Sequence, residues 1–189
     1  QAAGPHGELL ANRLNGVLPQ LKDMVLARTR HIDETLRSVE NIQQVVILGV
    51  GLDRRPFRMN EELGRPTFFE LDLPEMLEER DRVIAEMKPD ASVRRHSMSA
   101  DFKVDKISQL LLQNPDFDPK RPTAVVFEGC SMYFTREENQ QILSDIASLL
   151  QHPNSLVWCD LVRENVVEGT VPSPDIKKFT DGMEELGER

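Results

Sequence analysis

The stretch Val45-Val46-Ile47-Leu48-Gly49-Val50-Gly51-Leu52-Asp53 decides the fold, because a short apolar run rich in β-branched residues stops at a Gly-x-Gly turn. About twenty residues further on, a second apolar run, Phe68-Phe69-Glu70-Leu71-Asp72, ends in an acid. An open parallel sheet builds a nucleoside site from these parts, since glycines let the backbone approach a ligand and the acid accepts the ribose hydroxyls.

The residues after the second glycine narrow the choice of ligand. Positions 52–54 are Leu, Asp and Arg, so the third glycine of a dinucleotide fingerprint is absent. The pattern therefore favours a nucleoside without phosphates, such as S-adenosylmethionine. A Gly-x-Gly pair also occurs in strand-to-helix turns for backbone reasons alone, so it has to be weighed together with the rest of the chain.

Composition indicates one globular domain without a nucleic-acid or membrane surface. The chain has 189 residues, of which 39% are hydrophobic and 29% charged, and its net charge is -9. The excess of acid argues against nucleic-acid binding, and no apolar run approaches the length of a membrane span. Cys130 and Cys159 follow apolar runs, which predicts buried thiols in a reducing cytoplasm rather than a disulfide framework. The histidines show no metal-ligand spacing, so no metal is expected.

Apolar periodicity predicts five strands that alternate with helices. The predicted strands are about 45–49, 67–71, 93–96, 124–127 and 155–161, and the predicted helices are about 8–40, 74–87, 105–113 and 135–150. Pro19 is expected to kink or break the first helix, and Thr135 with Glu138 predicts a capping box. This alternation predicts an α/β fold whose mostly parallel sheet carries helices on both faces.

Four polar or glycine positions fall at or just after predicted strand ends. They are Gly49, Asp72, Asp101 and Glu128. Because ligands of open parallel sheets bind beyond the carboxyl ends of the strands, we expect these residues to line one site.

Five segments are informative when taken together. In chain order they are 27–33 (ARTRHID), 44–53 (QVVILGVGLD), 69–75 (FELDLPE), 100–102 (ADF) and 127–135 (FEGCSMYFT). They resemble motifs of the leucine carboxyl methyltransferase family, which includes bacterial polyketide carboxyl methyltransferases of the tetracenomycin type. Their order and spacing match the family and together cover about residues 24–162. The resemblance implies a Rossmann-like class I methyltransferase fold that binds S-adenosylmethionine.

The resemblance also implies a domain plan and exposes two departures from the family. We expect residues 1–40 to form a helical extension, 41–162 the S-adenosylmethionine-binding domain, and 163–189 the start of a substrate-side insertion. Val50 stands where the family has alanine, which slightly enlarges the turn. The further helix and the C-terminal strands of the family have no counterpart in the sequence, so we expect them to be missing.

By resemblance, the first set of site residues holds the ribose and methionine parts of the cofactor. Gly49 and Gly51 would let the backbone approach it, and Asp72 would accept both ribose hydroxyls. The alternative for Asp72 is an N-terminal cap of the following helix. Arg28 would bind the cofactor carboxylate as a fork, with Arg30 as its rival.

A second set would surround the adenine and the amino-acid end. Asp101 and Phe102 would lie beside the adenine, with ordinary loop structure and packing as the alternative. Glu128 would hold the cofactor ammonium group or nearby amides, because a buried glutamate without a partner is costly. For Tyr133, the only tyrosine, substrate contact and simple packing are equally open.

The implied reaction is in-line attack of a substrate oxygen on the sulfonium methyl group, which gives an O-methyltransferase acting on the carboxylate of a small molecule. A carboxylate is ionised at neutral pH and needs no general base; His31 and His96 are only weak candidates for one. Two alternatives stay open: a non-catalytic cofactor-binding or interaction module, and a nucleotide-dependent oxidoreductase with a related sheet. The absent third glycine counts against the oxidoreductase.

Overall fold

The computed structural model describes residues 21–88 and 90–168 and the single residues 170, 172, 174 and 177. The chain divides into two compact units, of which one comprises residues 32–160 and the other residues 1–31 with 161–189. The whole sheet belongs to the first unit. The predicted division at residues 40 and 162 stays a prediction.

Five strands form one parallel sheet in the order β3-β2-β1-β4-β5. They are β1 Gln44–Leu48, β2 Thr67–Asp72, β3 Arg95–Ser99, β4 Thr123–Phe127 and β5 Leu156–Cys159. The helices are α1 Leu21–Ser38, α2 Arg55–Arg58, α3 Pro74–Met87, α4 Ile107–Gln113, α5 Arg136–Leu149 and α6 Glu164–Val167, with a 3-10 turn at Ser131–Tyr133. Because β1 and β4 are neighbours, the strand order reverses between them, and such switch points are where parallel sheets bind ligands.

Side chains on the two faces of the sheet belong to separate hydrophobic clusters. On one face Val45 and Ile47 of β1 pack with Ile32 and Leu36 of α1. On the other face the alternate residues of β1 and β4 pack with α4 and α5. This cluster includes Val46, Leu48, Val125 and Phe127 of the strands and Ile107, Leu111, Ile142 and Ile146 of the helices. Helices on both faces bury every residue of β1 and β4, which explains their continuous apolar sequences. The predicted fold class is confirmed.

Most predicted element boundaries agree with the structure to within one or two residues. Helix α3 begins at Pro74 and ends at Met87 as predicted, and Lys88 stops it in a left-handed conformation with φ 49°. The capping box at α5 is present: the Thr135 N–H donates to the Glu138 carboxylate at 2.7 Å, and the Glu138 N–H donates to the Thr135 hydroxyl at 3.2 Å.

The predicted positions of some elements differ from those in the structure. The third strand is Arg95–Ser99 rather than 93–96, because its position is set by pairing with β2, from Phe68 opposite Arg95 to Asp72 opposite Ser99. β3 is a polar edge strand, so no apolar run marked its ends. The last strand is shorter than predicted. The predicted helix 8–40 corresponds to α1; Pro19 and the residues before 21 lie outside the described residues.

The cysteines differ in part from the prediction. Cys130 and Cys159 are thiols, as expected, but half-buried rather than buried. Burial raises the pKa of the Cys159 thiol, and the neighbouring Asp160 adds to the rise. Among the described helices, none combines the length and the apolar character needed to cross a membrane.

Candidate functional site

The turn after β1 is shaped by Gly49. This residue follows the last residue of β1 and has a φ of 64°. Its N–H donates to the carbonyl of Leu71 at 2.8 Å, so the turn stays attached to β2. A Cβ at this position would lie 2.1 Å from the Cys130 sulfur. Backbone angle and packing therefore both require glycine here.

Gly51 is joined to the acid at the end of β2. Its N–H donates to one carboxylate oxygen of Asp72 at 2.7 Å, and the other oxygen accepts from the N–H of Leu73 at 2.8 Å. Apart from Gly51 itself and its two chain neighbours, no atom of the described residues lies within 4 Å of the place where a Gly51 Cβ would be, although the φ of Gly51 is 43°. The space beside this glycine is open.

The alternative role for Asp72, an N-terminal cap of α3, stays a prediction. The capping position of α3 is Leu73, whose own side chain accepts no hydrogen bond but whose N–H donates to the Asp72 carboxylate. The Asp72 carboxylate also fixes the turn at Gly51, and its half-buried position leaves it in contact with solvent.

Behind this turn lies a buried ion pair between Glu70 of β2 and Arg80 of α3. Arg80 donates to the two oxygens of Glu70 at 3.0 and 2.9 Å. Its remaining nitrogen, Nη1, donates to the backbone carbonyls of Gly51 at 2.9 Å and Asp53 at 2.7 Å. Burial would raise the pKa of Glu70, but hydrogen bonds from Arg80 and Arg95 hold it below its ordinary value. The pair ties the centre of β2 to the glycine turn.

A second buried network surrounds Arg55, the first residue of α2. Its guanidinium, only 3% exposed, lies 2.6 Å from Asp53, 2.7 Å from Glu128 and 3.1 Å from Asp33. Burial would lower the pKa of Arg55, but the carboxylates of Asp53 and Glu128 raise it above its ordinary value. Arg58 also donates to Asp33, at 2.5 and 2.6 Å. Glu128 therefore has a cationic partner within the protein.

Asp101 and Phe102 follow β3. The neighbouring Ala100 N–H donates to the Asp72 carbonyl at 2.9 Å, which keeps this loop beside the end of β2. The Asp101 carboxylate accepts from the Lys103 N–H at 3.0 Å, and the Phe102 ring lies 6.2 Å from the ring of Phe134. The loop and packing interactions considered as an alternative are thus present; contact with adenine stays a prediction.

Tyr133 and Arg28 lie on other elements of the chain. Tyr133 belongs to the 3-10 turn after β4 and is 42% exposed. Arg28 lies on α1, in the segment assigned to the other compact unit. The roles predicted for both residues, like those of the other site residues, stay predictions.

Arg55 and Arg80 were not predicted from the sequence. A signal for them existed, because a glutamate inside or directly after an apolar strand needs a cationic partner when it is buried. That signal points to Glu70 and Glu128 but does not identify the arginine that pairs with each of them.

Comparison with known proteins identifies the family. The family model described as leucine carboxyl methyltransferase matches residues 5–147. A relative from Parafrankia sp., assigned by name only to the S-adenosyl-L-methionine-dependent methyltransferases, is 32% identical over 88% of this chain and 54% of its own length. A Mycobacterium tuberculosis relative with the same assignment is 36% identical over 65% of this chain and 38% of its own length. The chain thus spans about half the length of the curated relatives it matches, or less.

Solved structures agree on the fold. A protein from Thermobifida fusca, assigned by name to the methyltransferases, aligns with a TM-score of 0.66 at 19% identity, covering 94% of this chain and 65% of the other. A DUF574 family protein from Streptomyces avermitilis aligns with a TM-score of 0.66 at 13% identity, covering 97% and 70%. The architecture is the Rossmann-like one expected of class I methyltransferases. The chain belongs to the leucine carboxyl methyltransferase family.

Proposed function

We propose that this chain binds S-adenosylmethionine and serves an O-methyltransferase that converts a carboxylate of a small molecule into a methyl ester. The observation that carries the proposal is the hydrogen bond from Gly51 to Asp72 at the carboxyl ends of neighbouring parallel strands. Family membership and the names of the relatives support the same cofactor.

The residues around Asp72 fit a ribose. A carboxylate has about four acceptor sites, and the structure shows two of them used by the N–H groups of Gly51 and Leu73. One further site on each oxygen suits a pair of adjacent hydroxyl donors. The open space beside Gly51 gives such a ligand room to approach the backbone.

The charges near the turn favour a nucleoside over a dinucleotide. Arg55 and Arg80 are both buried and both held by carboxylates, so a pyrophosphate would compete with acids for them. The carboxylates of Asp72, Asp101 and Glu128 stand at the carboxyl ends of three strands. They favour a ligand that carries positive charge and hydroxyl or amine donors.

When bound, S-adenosylmethionine supplies a methyl group activated by its sulfonium. The chain then has to bind and orient, because a carboxylate acceptor is already ionised at neutral pH and needs no general base. The surroundings of His96 do not favour it as a general base. It lies in the first half of β3, where its ring stacks on Phe69 with 5.2 Å between ring centres and its Nε2 lies 3.0 Å from the Asp116 carboxylate.

The remaining roles follow the family motifs. Asp101 and Phe102 would line the adenine pocket. Glu128 would face the ammonium group of the cofactor, while Arg55 binds the Glu128 carboxylate from the protein side. Arg28 would take the cofactor carboxylate, and Tyr133 would contact the acceptor.

The acceptor and the compartment are also proposals. The acceptor would be a small carboxylic acid, with a polyketide acid as one example suggested by the family. The thiol state of Cys130 and Cys159 supports a reducing, cytoplasmic compartment.

Calorimetry with S-adenosylhomocysteine, S-adenosylmethionine and NAD tests the cofactor. S-adenosylhomocysteine should bind and raise the melting temperature; at 100 times its dissociation constant the added stability is about 2.7 kcal/mol. NAD should have no effect. A shift with NAD and none with S-adenosylhomocysteine would overturn the proposal.

A further inference from the structure

The peptide groups of the glycine turn are held on two sides. Asp72 accepts from the N–H of Gly51 at 2.7 Å, and Arg80 donates to the carbonyl of the same residue at 2.9 Å. The same Arg80 nitrogen reaches the carbonyl of Asp53 at 2.7 Å. Two carbonyls of one turn therefore converge on a single guanidinium.

Arg80 is well suited to hold these carbonyls rigidly. Its side chain is 1% exposed and that of its partner Glu70 is 0% exposed. The two are joined by parallel hydrogen bonds, and Arg95 donates to the same carboxylate from β3 at 2.9 Å. The planar fork fixes the direction of the remaining nitrogen, so the orientation of Nη1 is set by Glu70.

The direction of the two carbonyls sets the direction of the turn's amide groups. A trans peptide places its N–H on the side opposite its C=O, and the chain has no cis peptide within the described residues. The N–H groups of Leu52 and Arg54 are therefore directed away from Arg80. The turn presents hydrogen-bond donors on the side that faces away from α3.

We propose that Arg80 is a positioning residue for the cofactor: by holding the carbonyls of Gly51 and Asp53, it keeps the turn in the conformation that contacts Asp72 and so sets cofactor affinity. The inference rests on the proposed function for its ligand. It assigns a role in cofactor binding to Arg80, a buried residue of α3 that lies outside the five motif segments described above.

Arg80→Lys in the full chain is the variant that tests this role. An ammonium group can still neutralise Glu70, but it lacks the fork needed to bind both carboxylate oxygens and both carbonyls at once. We expect the affinity for S-adenosylhomocysteine, measured by calorimetry, to fall by about tenfold or more. Hydrogen exchange of the Gly51 N–H in the ligand-free protein should become faster, while exchange of the Val46 N–H in the core of β1 should not.

Two arginines provide matched controls. Arg95→Lys perturbs the same glutamate without touching the turn, because Arg95 contacts Glu70 and Asp81. Arg82→Lys alters an exposed arginine on the same helix that pairs with Glu79. Arg82→Lys should bind S-adenosylhomocysteine within about twofold of the unsubstituted chain. Arg95→Lys leaves Arg80 on the turn carbonyls, so it should lose less affinity than Arg80→Lys while lowering the melting temperature.

The outcomes separate the inference from the proposed function. Unchanged Gly51 exchange in Arg80→Lys overturns the positioning role whether or not a ligand binds, and equal affinity losses in Arg80→Lys and Arg95→Lys overturn it as well. If the unsubstituted chain does not bind S-adenosylhomocysteine, the proposed function fails while the exchange result still decides the role of Arg80. Should Arg80→Lys not fold, Glu70→Gln combined with Arg80→Gln removes both buried charges, and the same two measurements apply to it.

Discussion

The backbone N–H of Gly51 lies 2.7 Å from the carboxylate of Asp72, so the acid at the end of β2 holds the turn at the end of β1. The register of the parallel pair, with Leu48 opposite Leu71, brings these two positions together. The Asp72 carboxylate therefore has a structural duty in the free protein, toward the N–H groups of Gly51 and Leu73, and, as proposed, a second duty toward the ribose. Substitutions can separate the two duties because stability and affinity are measured independently.

Replacement of Asp72 should weaken cofactor binding more than it weakens the fold. Asp72→Ala removes the acceptor for two hydroxyls, each worth about 1.5–3 kcal/mol as a charge-assisted hydrogen bond, so we expect affinity for S-adenosylhomocysteine to fall about tenfold or more. Asp72→Asn keeps the shape but replaces one acceptor by a donor, and its affinity should also fall. Glu75→Ala, an exposed acid in the first turn of α3, is the control. Unchanged calorimetric affinity in a folded Asp72→Ala would leave Asp72 with only its structural contacts to Gly51 and Leu73.

The two glycines of the turn should respond differently to alanine. At both positions the left-handed backbone makes a side chain cost about 1–2 kcal/mol, but at Gly49 the new Cβ also meets the Cys130 sulfur at 2.1 Å. Gly49→Ala should therefore lower the free energy of unfolding more than Gly51→Ala, as measured with urea. Cys130→Ala should restore part of the loss in the Gly49→Ala background.

Gly51→Ala should affect ligand affinity more than it affects stability. Its alanine would occupy the open space beside the turn, so Gly51→Ala should bind S-adenosylhomocysteine weakly while remaining folded. Full affinity in this variant would mean that the ligand does not approach the turn from that side.

Acid should destabilise the fold through Glu70 and Asp33. Despite burial, hydrogen bonds from arginines hold their pKa values below the ordinary 4.5 and 3.8. Because the folded pKa is the lower one, this stability is present above the ordinary values and is lost as the pH falls through the folded values.

Glu70→Gln isolates the share of Glu70 in the acid response. The variant should be less stable than the unsubstituted chain at about pH 7. The two curves should converge as the pH falls below 4.5 and through the lowered pKa of Glu70. Urea unfolding at several pH values measures both, with Glu75→Gln as the exposed control. A constant difference between the curves across this range would contradict the assignment.

Replacement of Arg55 should lower the free energy of unfolding far more than replacement of an exposed arginine that also pairs with a glutamate. Arg55→Met leaves Asp53 and Glu128 without their shared cation, and breaking such a buried pair costs about 3–5 kcal/mol; the lower end applies because both acids are partly exposed. Arg37→Met, which breaks an exposed pair with Glu62, should change the unfolding free energy little. Similar urea midpoints for the two variants would argue against the network around Arg55.

The elements that could be predicted from the sequence are those whose signal is local. β1 and β4 are covered on both faces and therefore appear as continuous apolar runs. Pro74 and the Thr135–Glu138 pair mark helix starts by their own chemistry. β3 was displaced because an edge strand with the sequence RHSMS is positioned by its partner and not by its own apolar pattern.

The candidate site divides in the same way. Gly49, Gly51 and Asp72 could be expected to meet, because the ends of adjacent parallel strands share one edge. The Arg55–Glu128 contact joins residues 73 positions apart, and Arg80 faces the turn only because α3 packs against β2. Which of several arginines fills each place depends on packing that the sequence does not display.

The acceptor group can be tested by the chemistry of the product. We expect a methyl ester on a small carboxylic acid, as the family suggests. A carboxylate is already charged at neutral pH, so the rate of methyl transfer from S-adenosylmethionine should not rise steeply between about pH 7 and about pH 9. A phenol with a pKa near 10 and no efficient base would instead give a rate that climbs across that range. The products also differ, because esters release methanol in mild alkali and aryl ethers do not. Product that keeps its labelled methyl group in base, together with a rate still climbing at pH 9, would overturn carboxyl methylation and leave methyl transfer itself intact.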